Sequence, residues 1–160
     1  MKKISILMGS QSDLETVIDA ASILKEFKVD FDLKILSAHR TPKEVARYVE
    51  TAPKRGTRVF IAAAGMSAAL AGVVAAHTTL PVIGIPIETK NLKGLDSLLS
   101  TVQMPPGIPV ACMAIGKAGA KNAALLALAI LGISDPKISA KLINYKKQMR
   151  LKILKTKIKV

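Results

Sequence analysis

Within Ser37-Ala38-His39-Arg40-Thr41-Pro42, an imidazole stands beside a guanidinium, with a hydroxyl on either side. Imidazole titrates near neutral pH and a guanidinium stays charged, so an anionic substrate that needs a proton moved can use both. Pro42 suits the first position of a helix, where its missing N–H costs nothing. A second set of polar groups lies at Gly9-Ser10-Gln11-Ser12-Asp13. Hydroxyls and free amides at the start of a helix make a phosphate-sized site. Asp13 repels phosphate and fits sugar hydroxyls better. Both strings also have a plain structural reading, because Ser and Asp are ordinary helix caps and His39 can be incidental. Neither string is a Walker loop or a GxGxxG fingerprint.

The flanking patterns say what must position these groups. Lys3 to Met8 and Val29 to Leu36 read as strands that end at Gly9 and Ser37. Thr57 to Ala63, Pro81 to Pro86 and Pro109 to Ile115 supply three more. Between them, helical spacing predicts helices from Leu14 to about Phe27, from Pro42 to near Ala52, from Val73 to Thr78 and from Leu95 to Thr101. A further helix, Ala118 to Leu131, is apolar nearly all round and so expected to be buried. Gly65 to Gly72 is a loop of small residues that lets backbone and ligand approach closely. Five strands alternating with helices imply right-handed crossovers and a three-layer α/β/α sandwich around a parallel sheet. Both polar sets then lie at the C-terminal edge of the sheet, where ligands bind in such folds.

A chain of 160 residues is most simply one domain, read here as a body from 1 to 135 and a basic helix within 136–160. Ile138, Leu142, Tyr145, Met149 and Ile153 form one stripe on that helix, and packing across a subunit boundary is the preferred explanation. Half of the residues are hydrophobic, yet there are only three Phe, two Tyr and no Trp, which suits a core of closely packed aliphatic layers. The formal charge of +13 invites a nucleic-acid reading. Its distribution argues against one, because nine Lys or Arg and no acid lie from Lys137 onward. The body has no aromatic cluster for bases; the tail can instead attract phosphorylated metabolites. No signal peptide and no membrane-spanning run of about 18 apolar residues is present. Cys112, the lone cysteine, is expected in a buried strand, rules out internal disulfides and makes the cytoplasm the default location. Two histidines and one cysteine without ligand spacing argue against a metal site, and His77 reads as surface decoration.

Five segments resemble one known family in order along the chain: MGSQSD (Met8 to Asp13), SAHRTP (Ser37 to Pro42), LPVIGIP (Leu80 to Pro86), GLDSLLSTVQMPPGIPVA (Gly94 to Ala111) and AIGKAGAKNAALLA (Ala114 to Ala127). The family is the N5-carboxyaminoimidazole ribonucleotide mutases of purine biosynthesis, also described as the catalytic subunit of phosphoribosylaminoimidazole carboxylase. The resemblance implies a flavodoxin-like Rossmann fold, a homo-octamer with active sites at subunit contacts, no metal or organic cofactor, and a functional link to N5-carboxyaminoimidazole ribonucleotide synthetase. It implies His39 as general acid/base and Ser10, Asp13 and Arg40 as nucleotide-binding residues. Ser37 and the loop residues Gly65, Ser67, Ala68 and Leu70 complete the candidate substrate site. The implied reaction moves a carboxylate from the exocyclic nitrogen of the aminoimidazole to ring carbon C4 through CO2. The loop departs from the mutase pattern GGAAHLPG, with Ala69 at the place of histidine and Ala71 at that of proline. It shares features with the AGRSNALSG loop of the branch that carboxylates aminoimidazole ribonucleotide directly. Mutase activity is the reading taken; direct carboxylation by CO2 and a non-catalytic nucleotide-binding module are the alternatives.

Overall fold

Continuous apolar runs are satisfied only in strands covered on both faces. In the computed structural model, which describes residues 2–158, β1 (Ile4–Met8), β3 (Val59–Ala64) and β4 (Val82–Pro86) are buried at every position. β2 (Phe31–Ile35) and β5 (Ala111–Cys112) are the partly covered edges. All pairings are parallel, in the order β2-β1-β3-β4-β5. That is the flavodoxin-like order, with the reversal between β1 and β3 that creates a crevice at the strand ends.

Six helices cover the sheet: α1 (Leu14–Glu26), α2 (Pro42–Thr51), α3 (Leu70–Ala76), α4 (Leu95–Val102), α5 (Gly116–Gly132) and α6 (Pro136–Lys155). Strand alternation sorts the core into two layers. Ile4, Ile6, Ile61, Ile83 and Ile85 pack with Val17 and Leu24 of α1 and Ala120, Ala124 and Leu128 of α5. Leu7, Phe60 and Ala62 face the other way, against Val45 and Val49 of α2 and Val74 of α3. Ser5 is fully buried in β1, and its hydroxyl is satisfied by Tyr48 of α2 at 2.6 Å. Tyr48 also donates to Asp32 of β2 at 3.3 Å, so one phenol ties α2 to two strands. Among the described residues no helix is long and apolar enough to cross a membrane.

The expected elements are present, with three corrections. The fifth strand is two residues rather than seven, and Cys112 is half-buried at the sheet edge rather than in a buried strand. The helix expected from Val73 begins at Leu70, inside the small-residue loop. The stripe on α6 divides: Ile138, Leu142 and Tyr145 pack on this chain's own core, with the Tyr145 ring 5.7 Å from that of Phe27. Met149 and Ile153 remain 45% and 75% exposed. Asp135 caps this helix by accepting from the N–H groups of Lys137 and Ile138, and the end of the basic segment, residues 159–160, lies outside the described residues.

Gly84 shows how tightly α4 is seated. A Cβ there would lie 2.3 Å from Thr101 Cγ2, 3.2 Å from Val110 and 3.3 Å from Ala71. Thr101 cannot retreat easily, since it is buried and its hydroxyl donates to Ser97 O at 2.7 Å. Gly84→Ala should therefore destabilise by about 1–3 kcal/mol through overpacking. Adding Thr101→Ser, which removes the obstructing methyl, should recover most of the loss, as read by urea midpoints of the single and double variants.

Candidate active site

The parallel register brings four loops to the same edge of the sheet. Met8 pairs with Ile35 and with Ala63, and Ala64 pairs with Pro86. The loops that follow line a cleft of about 500 Å³ across the ends of four adjacent strands. At about 4.8 Å per strand, the cleft spans on the order of 14 Å from β2 to β4.

After β1 the chain turns through Gly9, whose N–H donates to Ala63 O at 3.2 Å. Ser10 and Asp13 then form a reciprocal cap: Ser10 Oγ accepts from Ser12 N–H, and Asp13 Oδ2 accepts from Ser10 N–H at 3.0 Å. Asp13 is only 6% exposed. Burial pushes its carboxyl above the usual carboxylate range, against the opposing pull of the Ser10 N–H, the Ser12 hydroxyl and the Arg40 charge.

After β2 the turn is closed by its own side chains. Thr41 Oγ1 accepts from Ser37 N–H at 2.9 Å and donates to Ser37 O at 3.1 Å, while Ser37 Oγ accepts from Arg40 N–H at 3.2 Å. Arg40 reaches across to β1 and donates from Nη2 to Gly9 O at 2.7 Å. Pro42 occupies the first turn of α2. His39, between these pinned residues, is exposed on the cleft wall. The site thus offers a fixed cation, a nearly buried carboxyl, serine hydroxyls and one exposed imidazole. Such a set can hold an anionic, hydroxyl-bearing molecule and exchange protons with it.

Of the sequence-derived candidates, Ser10, Asp13, Ser37, His39, Arg40, Gly65, Ala68 and Leu70 line this one cleft. Ser67 is exposed on the same loop but is not part of the lining. Ala69, at the place of the mutase histidine, is exposed as the residue before α3 and also does not line the cleft. Met66 does, in a left-handed conformation with φ 55°. The sequence reading missed the β4 wall, Ile87, Glu88 and Thr89. The signal was available: these residues directly follow an apolar strand, as Ser37 and Gly65 follow theirs. His77 lies away from the cleft and pairs with Glu50 at 3.0 Å.

The family model described as AIR carboxylase matches residues 3–152. The chain is 56% identical over 150 residues to the N5-carboxyaminoimidazole ribonucleotide mutase of Pyrococcus abyssi, covering 94% of this chain and 85% of that protein. It is 51% identical over 158 residues to the protein of the same name from Saccharolobus solfataricus, covering 99% of each. Its fold is similar to the crystal structure of Treponema denticola PurE, with a TM-score of 0.86 at 31% identity over 96% of this chain and 95% of that one.

The raised Asp13 pKa has a consequence for stability. Between its ordinary and raised values the folded state binds more protons than the unfolded one, so stability falls as pH rises through that window. Above both values the ionised carboxylate carries a constant cost. Asp13→Asn keeps an oxygen that can accept from Ser10 N–H and carries no charge. Its melting temperature should equal or exceed that of the unaltered chain by a few degrees at neutral pH. That advantage should shrink as pH falls toward about 3, in denaturation curves of both proteins.

Proposed function

The chain belongs to the AIR carboxylase family, and we propose that it isomerises N5-carboxyaminoimidazole ribonucleotide to 4-carboxy-5-aminoimidazole ribonucleotide in purine biosynthesis, with His39 moving the protons. The observation that carries the reading is the convergence of His39, Arg40, Ser10 and Asp13 on one cleft at the strand ends.

The reaction needs two proton transfers of opposite sense. The N–COO⁻ bond breaks as CO2 leaves, and the exocyclic nitrogen takes a proton. Ring carbon C4 then attacks CO2, and the C4 proton departs to restore aromaticity. No net proton is consumed, so one group that gives and then takes is sufficient. His39, as imidazolium, donates to nitrogen; the resulting imidazole collects the proton from C4. Arg40 and the Ser10 hydroxyl, which accepts from Ser12 and keeps its own proton to donate, suit the phosphate, Asp13 suits the ribose hydroxyls, and Ser37 braces the Arg40 turn. Gly65, Ala68 and Leu70 wall the cleft where CO2 must be retained between the two steps, which is catalysis by proximity. Ser67, exposed on the same loop and outside the lining, keeps its place in the proposed substrate site as a hydroxyl beside Met66 and Ala68.

The assembly reading extends from α6. Residues 1–135 form the catalytic body in this proposal, and the distal part of α6 is the contact of a homo-octamer. Support comes from the exposed Ile143, Ile153 and Leu154, apolar side chains left bare on an ordered helix. A cytoplasmic setting fits a single unpaired cysteine, and the synthetase that makes the unstable N-carboxylated substrate is the natural functional neighbour.

Purified protein should turn over N5-carboxyaminoimidazole ribonucleotide quickly, and aminoimidazole ribonucleotide with dissolved CO2 poorly. Efficient use of CO2 alone would mark a direct carboxylase, and silence with both would mark a binding module. His39→Asn should stay folded and lose about 10²–10⁴-fold in kcat; retained turnover excludes the proton-transfer role. Light scattering should give an octamer, and Ile153→Asp with Leu154→Asp should dissociate it. An active monomer would refute the assembly reading.

A further inference from the structure

Glu88 stands in the cleft yet takes no part in holding it together. It follows β4 by two residues and shares the cleft with Asp13, His39 and Arg40. Its backbone setting is rigid. Ile87 N–H donates to Ala64 O at 2.9 Å, and Ile87 O accepts from the buried Ser97 hydroxyl at 2.8 Å. Thr89 donates to Asp96 Oδ1 at 3.4 Å. Behind this segment Gly94, at φ +84°, approaches so closely that a Cβ would lie 3.2 Å from Glu88 Cα. The side chain is different. Glu88 is exposed, and although it also borders an adjoining cleft with Lys90, Lys93 and Lys117, it belongs to none of the ion pairs among the described residues.

Arg40 and Asp13, by contrast, already have protein partners: Arg40 with Gly9 O and Ser37, Asp13 with Ser10 and Ser12. A carboxylate on a clamped backbone, in a ligand-sized cleft and without a protein partner, is set to receive a donor from the ligand. Its position also gives the cleft a polarity. Arg40 and the Ser10 turn lie at the ends of β2 and β1, and Glu88 lies at the end of β4, two or three strand spacings away. A nucleotide whose phosphate is held at the first pair extends its base toward the β4 wall.

We propose that Glu88 is a substrate-recognition residue whose carboxylate accepts a hydrogen bond from the exocyclic amino group of the aminoimidazole ring. The inference rests on the aminoimidazole ribonucleotide reading given above. An ionised carboxylate only accepts hydrogen bonds, and the exocyclic N–H is the strong donor that this base offers. The same nitrogen gives up the carboxyl group that C4 receives, so fixing it also fixes how C4 meets CO2.

The test compares two ligands by calorimetry: 4-carboxy-5-aminoimidazole ribonucleotide and its counterpart lacking the amino group. The unaltered protein should prefer the amino ligand by about 10- to 100-fold, the range of a hydrogen bond to a charged acceptor. Glu88→Ala should bind both ligands equally, at the level of the deamino compound. Glu88→Gln, which keeps the size and one acceptor oxygen, should retain a preference of a few-fold. A full preference in Glu88→Ala overturns the proposal and leaves the substrate reading intact. Equal binding of both ligands by the unaltered protein does the same. Binding of neither ligand by the unaltered protein removes the substrate reading, and the proposal with it.

Discussion

The register of β1 against its two neighbours is the constraint on which the cleft depends. Met8 stands level with Ile35 on one side and Ala63 on the other, so β1 and β2 end flush and β3 runs one residue further, level with the end of β4. A slip of one residue would shift a loop by about 3.3 Å and turn every side chain of that strand to the opposite face. The second penalty enforces the first. Ile6 and Leu7 serve different layers of the core, and both are fully buried. Each layer therefore fixes the strand that the other layer needs. The polar groups of the cleft inherit this precision without contributing to it, since they lie on turns after the strands.

Inside the cleft, held and free groups divide by chemistry. Arg40 is tied to Gly9 O and to Ser37, so the loop after β2 is pinned to the loop after β1 by a charged donor. Asp13 is pinned by the Ser10 N–H within a cap that also starts α1. Groups that bind by charge and shape gain from such fixing, because little order remains to be imposed when the ligand arrives. A proton carrier must instead reach two atoms in turn. His39 is exposed, on a turn whose backbone is fixed by the hydrogen bonds of Ser37, Arg40 and Thr41. That combination suits the two transfers assigned to it.

Much of this was legible from the sequence because the polar strings stood directly after apolar runs, and parallel strands must deliver such strings to one edge. Eight of the nine candidate residues share the cleft for that reason. What escaped had physical causes. Glu88 carried the same signal, a polar residue directly after an apolar strand, but that it forms one wall of this cleft follows from the adjacency of β3 and β4, and strand order is a long-range property. The early start of α3 was hidden because Ala69 precedes the helix without a capping side chain. The fifth strand was overextended because Pro109 to Ile115 is apolar enough for a strand. An edge position offers a partner on one side only, and the ladder with β4 closes after two residues.

The charge of the chain looks different once located. Of the excess of +13, α6 carries seven Lys or Arg and no acid; it lies among the helices on the layer of α1 and α5 and is distinct from the cleft lining. Among the described residues Arg40 is the one arginine or lysine on the cleft wall, with Asp13 and Glu88 as the acids there. A positive molecule with a mixed-charge cleft divides two tasks that a uniformly basic pocket would merge. The distributed field draws phosphorylated metabolites of any kind toward the protein, and it weakens with salt over a Debye length of about 8 Å at physiological ionic strength. Selection then falls to short-range contacts inside the cleft, where acidic groups penalise ligands that bring only negative charge. A nucleotide with one anionic end and a donor-bearing base satisfies both walls; a simple polyphosphate satisfies one and is repelled by the other.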